Sequence, residues 1–410
     1  MRLNFNDIDT FFSLENISIH SNNETQSRNK VLEMIDQLNY YVFALKYHYI
    51  KHLILAKNFE YPNTISTYHS LMNSEFEPRS RQGNVGIIGA KVWQGQKKRG
   101  VELGPDMMRQ DGLIDKIKCI GVDVKDYGDI NPANIPNDAC GKVLNPNTVA
   151  DYCKKISDQV QKIVKDDRIC LILGGDHSLA AGSLHGHVSV YPDVRVVWID
   201  AHTDLHLPYT TSSGNLHGCP MGLMIKELNT PGQNILPGWE WHKERIPAHH
   251  LVYIGLRDVD TPEMFFLKKL NIRHFSVKDI DEHGIQGVAR MALQHINPKL
   301  DKPTVIQFDI DSLDPKDAPT TGTPVDGGMT LREGLELMEE LCRTRCIVGI
   351  DMVEVNVKLG DEKEAQKTVR AANKLILAAL GETRHGVLPR DFKITPLPSH
   401  EMNGITNGNH

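Results

Sequence analysis

Val194-Arg195-Val196-Val197-Trp198-Ile199-Asp200-Ala201-His202-Thr203-Asp204 carries the fold and the chemistry together. Its first half, apolar except for Arg195, reads as a buried strand. Its second half places metal-ligating side chains at every other position. In an extended chain, side chains two residues apart share a face, so Asp200, His202 and Asp204 can point into one space. Two other stretches repeat the arrangement. The apolar run at 169–174 leads into Gly174-Gly175-Asp176-His177-Ser178, and the run at 304–310 leads into Asp309-Ile310-Asp311. Adding His177, Asp309 and Asp311 gives two imidazoles and four carboxylates. Such a set can hold two divalent cations with shared carboxylates. Four crowded carboxylates cannot all stay ionised alone, and two doubly charged ions would balance them.

Working outward, apolar runs that read as strands occur at 84–90, 118–124, 169–174, 194–200, 250–256, 304–310 and 346–353. Helix-like stretches lie between most of them, among them 150–166 and 331–342. The second is opened by Thr330 and Glu333, a capping-box pair. This alternation predicts an α/β fold, a three-layer α/β/α domain with a mainly parallel central sheet. Sheets of this kind bind ligands at the carboxyl ends of their strands, where the three clusters fall.

The flanks differ in character. Residues 16–30 are rich in Asn, Ser and charge and read as loop or disorder. From about Arg28 to Lys57, Val31, Ile35, Leu38, Val42, Leu45, Tyr49 and Leu53 follow a helical period, a stripe that must be buried on the body of the protein or on a partner. Residues 58–82, with Pro62 and Pro78, read as a linker. The expected organisation is an N-terminal helical extension at 1–82, a catalytic α/β domain at 83–395 and a loose C-terminal tail at 396–410.

Composition narrows the function. The 410 residues are 40% hydrophobic, enough for a large core, and carry a formal charge of −6. No basic footprint points to nucleic acid, and no apolar stretch approaches the roughly 18 residues of a membrane helix. The acidic, interrupted start is unlike a secretory or mitochondrial leader. Seven cysteines without a CxxC read as reduced thiols, which places the protein in the cytoplasm. Cys342 and Cys346 are expected to be packing residues. Asn16-Ile17-Ser18 and Asn23-Glu24-Thr25 match the glycosylation pattern, but in a protein without a signal peptide they are chance matches.

Oxygen-rich coordination with some imidazole favours Mn²⁺, with Fe²⁺ or Co²⁺ as alternatives, and the absence of thiolates argues against structural zinc. Two bridged cations can share a water and lower its pKa towards neutrality. Hydrolysis is the reaction class that follows.

Gly174-Gly175-Asp176-His177-Ser178, Asp200-Ala201-His202-Thr203-Asp204, Ser212-Ser213-Gly214-Asn215-Leu216-His217-Gly218 and Asp309-Ile310-Asp311-Ser312-Leu313-Asp314-Pro315 together resemble the ureohydrolases, and within them the arginase family. The resemblance runs from about Asn84 to about Leu388 and includes Val122-Asp123-Val124-Lys125-Asp126-Tyr127-Gly128-Asp129 and Ile254-Gly255-Leu256-Arg257-Asp258-Val259-Asp260. It leaves the first eighty residues uncovered. It implies the arginase/deacetylase-like form of the fold and a pair of Mn²⁺ ions per subunit. His177, Asp200, Asp204 and Asp309 would hold the first ion, and Asp200, His202, Asp309 and Asp311 the second. The implied reaction is hydrolysis of L-arginine to L-ornithine and urea, by attack of a metal-bridging hydroxide on the guanidinium carbon.

By the same resemblance, Asp204 would pass a proton to the leaving amine, Glu354 would orient the guanidinium, and His217 would shuttle protons to solvent. Ser213 and Asn215 would hold the α-carboxylate. Asp260, with Asp258 acting through solvent, would receive the α-ammonium. Thr323 would line the site near the guanidinium, while Asp176, Ser178, Gly174 and Gly175 would support the ligands. Agmatine-cleaving relatives lack the Ser-Gly-Asn pattern, and a site built to pair polar groups rejects analogues lacking them.

Two positions depart from the family pattern. His206 stands where arginases carry an asparagine that contacts the carboxylate, and His206→Asn is expected to lower the KM for arginine. Lys367 stands where the trimeric enzymes have an interface arginine, and lysine cannot reproduce a bidentate fork. Arg332 and Glu333 are kept, and a homotrimer is the expected assembly. Two alternatives stay open: a ureohydrolase for another guanidino compound such as agmatine or guanidinobutyrate, and a non-catalytic ureohydrolase-like binding protein. Metal-dependent deacetylases do not share the Ser-Gly-Asn-Leu-His-Gly stretch or the full ligand set.

Overall fold

The computed structural model describes residues 84–384 except 134, 137 and 230–235. The expected helix at 28–57, its linker, the C-terminal tail and both glycosylation patterns lie outside the described residues. Ten strands are described: β1 (Asn84–Ala90), β2 (Asp123–Ile130), β3 (Ala139–Cys140), β4 (Val143–Leu144), β5 (Ile169–Leu173), β6 (Arg195–Ile199), β7 (Leu251–Leu256), β8 (Arg273–Ser276), β9 (Thr304–Asp309) and β10 (Ile347–Val353). Nine α-helices are described with them: α1 (Gly104–Gln110), α2 (Leu113–Cys119), α3 (Pro146–Lys165), α4 (Ala180–Val190), α5 (Pro220–Met224), α6 (Thr261–Lys269), α7 (Val277–Ile296), α8 (Leu331–Arg343) and α9 (Glu362–Ala379).

Eight strands form one sheet in the order β2-β1-β5-β10-β9-β6-β7-β8, and β3 pairs with β4 as a small hairpin. Every pairing within the large sheet is parallel. The expected three-layer α/β/α fold is therefore present. Strands β5, β7, β9 and β10 are buried along their whole length, as a parallel sheet covered on both faces requires. On one face Val305 of β9 packs with Ala180, Leu184 and Val188 of α4. Three residues on, Phe308 points to the opposite face, towards Gly334 of α8, and α8 packs between α7 and α9.

Helix α3 forms where apolar residues recur every three or four positions, burying Val149, Tyr152, Ile156, Val160 and Ile163, and Pro146 starts it. It begins four residues before the expected stretch. Helix α8 has the expected cap: Glu333 N–H donates to Thr330 Oγ1 at 3.2 Å, and Thr330 N–H donates to Glu333 Oε2 at 2.8 Å.

Two expectations about the edges are corrected. The apolar run at 118–124 is the end of α2 and a turn, and the strand begins only at Asp123. Strand β2 is largely exposed because it is an edge strand, so its apolar pattern is weak. Strand β8, with only four residues at the other edge, was not foreseen.

Candidate metal centre

Four neighbouring strands in the middle of the sheet, β5, β10, β9 and β6, deliver the six expected ligands and Glu354 from their carboxyl ends. Beyond β5 the chain turns sharply through Gly174 and Gly175 into a 3₁₀ turn at His177–Leu179. A Cβ on Gly175 would lie 1.9 Å from the Val92 carbonyl oxygen, so this turn needs a glycine. Asp176 braces the turn, accepting from Ser178 N–H at 3.0 Å and Gly95 N–H at 3.0 Å. His177 is thereby aimed at three carboxylates. Its Nδ1 lies 3.2 Å from Asp200 Oδ2, 3.1 Å from Asp204 Oδ2 and 3.2 Å from Asp309 Oδ2.

The second group lies alongside. His202 Nδ1 stands 3.4 Å from Asp200 Oδ1 and 3.3 Å from Asp311 Oδ2. Asp309 caps the turn that follows β9, accepting from Asp311 N–H at 2.9 Å. Asp200 contributes to both groups, and all six expected ligands come together. Asp311 also accepts from Thr323 Oγ1 at 3.0 Å, so Thr323 braces that carboxylate while lining the cavity.

Burial and mutual charge raise three of the four carboxyls, a penalty that a bound cation would relieve. Burial and the neighbouring Asp311 and Asp200 charges push Asp309 well above the usual carboxylate range. Burial and Asp200 lift Asp204 to about 6. Asp311 is raised by burial and by Asp200. His177 Nδ1, wholly buried, faces three carboxylate oxygens yet makes no hydrogen bond. An orphaned imidazole nitrogen ringed by oxygens is what a divalent cation would complete, so the residues fit such ions.

Glu354 follows β10 with its backbone in the left-handed region, φ 62°, and is buried. Its Oε1 accepts from His177 N–H at 2.9 Å, and its Oε2 accepts from Gln96 Nε2 at 2.7 Å. His217 Nδ1 lies 3.2 Å from Glu354 Oε1. Burial pulls the His217 pKa down, but the Glu354 hydrogen bond and charge, with Asp204 and Asp176, hold it up at about 8. In the metal-free chain these neighbours favour the protonated imidazole.

The centre opens into a cavity of about 210 Å³ lined by, among others, His206, Ser213, Asp258 and Asp260. Gly214, at φ +75°, lies against the Lys142 carbonyl and turns the segment between Ser213 and His217. Asn215 Oδ1 is buried without a hydrogen bond. Asp260 is the N-cap of α6, paired with Glu263. His206 lines the cavity but has both ring nitrogens engaged, Nε2 at 2.9 Å from Asp260 Oδ2 and Nδ1 at 3.1 Å from Thr210 Oγ1. The expected carboxylate contact at His206 is thus joined to the expected ammonium contact.

Four residues escaped sequence reasoning. Trp198 Nε1 donates to Asp200 Oδ2 at 2.9 Å and its ring stacks on His177 at 4.2 Å. Gln96 fixes Glu354 from far along the chain. Arg257 donates to the carbonyls of Gly255, Asp311, Ser312, Leu313 and Val325, tying the loops after β7 and β9 together. Glu263 accepts from Leu205 N–H at 2.9 Å beside Asp204. Only Trp198, two residues before Asp200 and on the same strand face, was marked by a local signal.

Comparison with known proteins agrees with this geometry. Human arginase-1 is 44% identical over 309 residues, 75% of this chain and 96% of that protein. Human mitochondrial arginase-2 is 44% identical over 306 residues, 74% of this chain and 86% of that protein. The arginase of Bacillus caldovelox superposes with a TM-score of 0.67 at 32% identity, covering 74% of this chain and 99% of that one. The arginase of Entamoeba histolytica, solved in complex with L-ornithine, superposes with a TM-score of 0.66 at 28% identity, covering 73% and 99%. The arginase family model matches residues 83–381, the stretch that builds the sheet and all six candidate ligands, and the chain belongs to the arginase family.

Proposed function

We propose that this chain is an arginase that hydrolyses L-arginine to L-ornithine and urea. The observation that carries the proposal is the convergence of His177, Asp200, His202, Asp204, Asp309 and Asp311 at the ends of neighbouring strands in a member of this family. His177, Asp200, Asp204 and Asp309 would hold one Mn²⁺, and Asp200, His202, Asp309 and Asp311 a second. When bound, the ions supply Lewis acidity and a water of lowered pKa.

The chain's own residues do the rest. Glu354, held by Gln96 and the His177 N–H, presents a fixed carboxylate that suits a planar guanidinium. Asp204, whose carboxyl sits at the edge of the cavity, accepts a proton and returns it to the leaving amine. His217, held against Glu354, exchanges protons between that amine and solvent. Ser213, Asn215 and His206 receive the α-carboxylate end. Asp260 and Asp258 receive the α-ammonium, and Thr323 lines the guanidinium end. A cavity of about 210 Å³ suits a small amino acid.

The test is urea release after reconstitution with Mn²⁺. L-Arginine is expected to be cleaved, and agmatine and guanidinobutyrate to be cleaved far less, because they leave Ser213 and Asn215 or Asp260 without partners. Preferred cleavage of either analogue would replace arginine as the substrate, and no urea from any of them would leave a binding protein. The same proposal places the catalytic unit at 83–395, with an extension at 1–82 and a tail at 396–410, in a cytoplasmic homotrimer. The family match over 83–381 supports the unit up to residue 381. Among the described residues no helix is long and apolar enough to cross a membrane, and no disulfide forms.

A further inference from the structure

His206 and Asp260 line the cavity together, and their contact bears on which guanidino compounds the site accepts. His206 Nε2 lies 2.9 Å from Asp260 Oδ2. A carboxylate only accepts, so Nε2 supplies the hydrogen of this bond whether the ring is neutral or charged. The ring is held in that position. Its Nδ1 lies 3.1 Å from Thr210 Oγ1, which is itself fixed by Leu207 N–H at 2.9 Å. The backbone is fixed as well. His206 N–H donates to the Gly218 carbonyl at 3.1 Å, and a Cβ on Gly222 would lie 2.0 Å from the His206 carbonyl oxygen.

Asp260 has a second donor. As the N-cap of α6 its side chain accepts from the backbone N–H of Glu263, while Glu263 Oε2 accepts from Asp260 N–H at 3.1 Å. The proposed receiver of the α-ammonium is therefore supplied with two hydrogen bonds before any substrate enters. A site rejects an analogue lacking a polar group because its own partner for that group is left unpaired. That penalty is reduced here: once a substrate covers Asp260, His206 still bonds it.

We propose that His206 stands in for the substrate's α-ammonium, and that the same site cleaves ω-guanidino carboxylic acids lacking an α-amino group. The probe is 5-guanidinopentanoate, which matches arginine except for that group. Its hydrolysis breaks the bond between the guanidinium carbon and the chain nitrogen. The oxygen of one water becomes that of urea, its two hydrogens pass to the leaving amine, and 5-aminopentanoate is released. Arginine keeps the lead, because its ammonium brings a full charge to Asp260 and to Asp258, whose side chain is more than half exposed. This substrate class rests on the function proposed above.

The discriminating quantity is the ratio of kcat/KM for arginine to that for 5-guanidinopentanoate, measured on full-length chain loaded with Mn²⁺. Both compounds carry the same carboxylate, so a change at the carboxylate end cancels in the ratio. The unaltered chain should release urea from the analogue, with a ratio well short of the roughly 10⁴–10⁵ by which a site rejects a compound that leaves its polar group unpaired. In His206→Asn the shorter side chain gives up Asp260, and the ratio should rise about tenfold, the low end for a hydrogen bond to a charged group because Asp260 is partly exposed. In an Asp260→Asn background, which keeps a capping side chain on α6, the same substitution should leave the ratio unchanged. A melting temperature and Mn²⁺ content matching the parent chain establish that each variant is folded. A ratio of about 10⁴ or more in the unaltered chain, no rise in His206→Asn, or a rise that persists in the Asp260→Asn background overturns the proposal. No urea from arginine itself overturns the arginase reading instead. Calorimetric affinities of the two compounds then give the corresponding ratio across the same variants and still decide the role of His206.

Discussion

Asp204 and Glu354 both hold left-handed backbone conformations, with φ of 47° and 62°. For residues other than glycine this costs about 1–3 kcal/mol each, and here it aims two carboxylates inward. Glu354 also sets the charge of His217. In the metal-free chain His217 titrates at about 8, above its ordinary 6.5, so its contribution to stability is complete below about pH 6.5 and is lost as pH rises through 8. The expected loss is about 2 kcal/mol. In Glu354→Gln, burial acts with less opposition, and the ring's NMR titration midpoint should fall to 6.5 or below; a midpoint still near 8 would remove Glu354 as the cause. Gln96 acts on the same carboxylate. Gln96→Ala should weaken arginine binding, raising the KM about tenfold with a smaller change in kcat, since a hydrogen bond to a charged group is worth about 1.5–3 kcal/mol.

At the scale of elements, the centre depends on turns and braces that hold no ligand. Arg257, just after β7, gathers four carbonyls from the segment after β9 and that of Gly255 within β7, using the rigid fork that lysine lacks. Arg257→Lys should therefore loosen Asp311 and lower metal affinity by about 10–100-fold, as loss of a ligand's support does; calorimetric titration with Mn²⁺ reads this directly. Helix α4 makes a different demand. Burial holds His187 at about 4, below its ordinary value, its Nδ1 lying 2.9 Å from the Ser183 carbonyl oxygen. A histidine with a depressed folded pKa stabilises the fold above about pH 6.5, and that contribution drains away as pH falls towards 4. Denaturant unfolding should lose about 3 kcal/mol from this group across that window, and His187→Gln should flatten the acid side of the profile.

For the whole molecule, the metals and the assembly are the levers. Any cation that binds only the folded chain stabilises it by about 3–4 kcal/mol at 100–1,000 times its dissociation constant. Chelation should accordingly lower the melting temperature, and Mn²⁺ should restore it. The proposed homotrimer predicts a light-scattering mass three times that of the chain with metal present; the mass of a single chain would sink it. Lys367 bears on that outcome. It meets the Lys316 carbonyl and lies 3.9 Å from Asp317 on its own chain, a looser hold than a guanidinium fork would give. Lys367→Arg should therefore tighten assembly.

Sequence alone determined the three-layer fold, the six candidate ligands and the helices with strong apolar stripes. All three rest on local periodicity. Alternate residues of a strand share a face, so Asp200, His202 and Asp204 announce a common target before any contact is known. Buried central strands carry continuous apolar runs, which is why β5, β7, β9 and β10 were legible. The edge strands β2 and β8 were not, because a strand covered on fewer sides needs no such run. Only the tertiary structure decided that β5, β10, β9 and β6 are neighbours, and hence that the clusters share one site. It alone showed Gln96 holding Glu354, Arg257 binding two loops together, and His206 turned onto Asp260. Those contacts join residues tens to hundreds of positions apart. They are set by strand order and loop packing, for which no local spacing carries a signal.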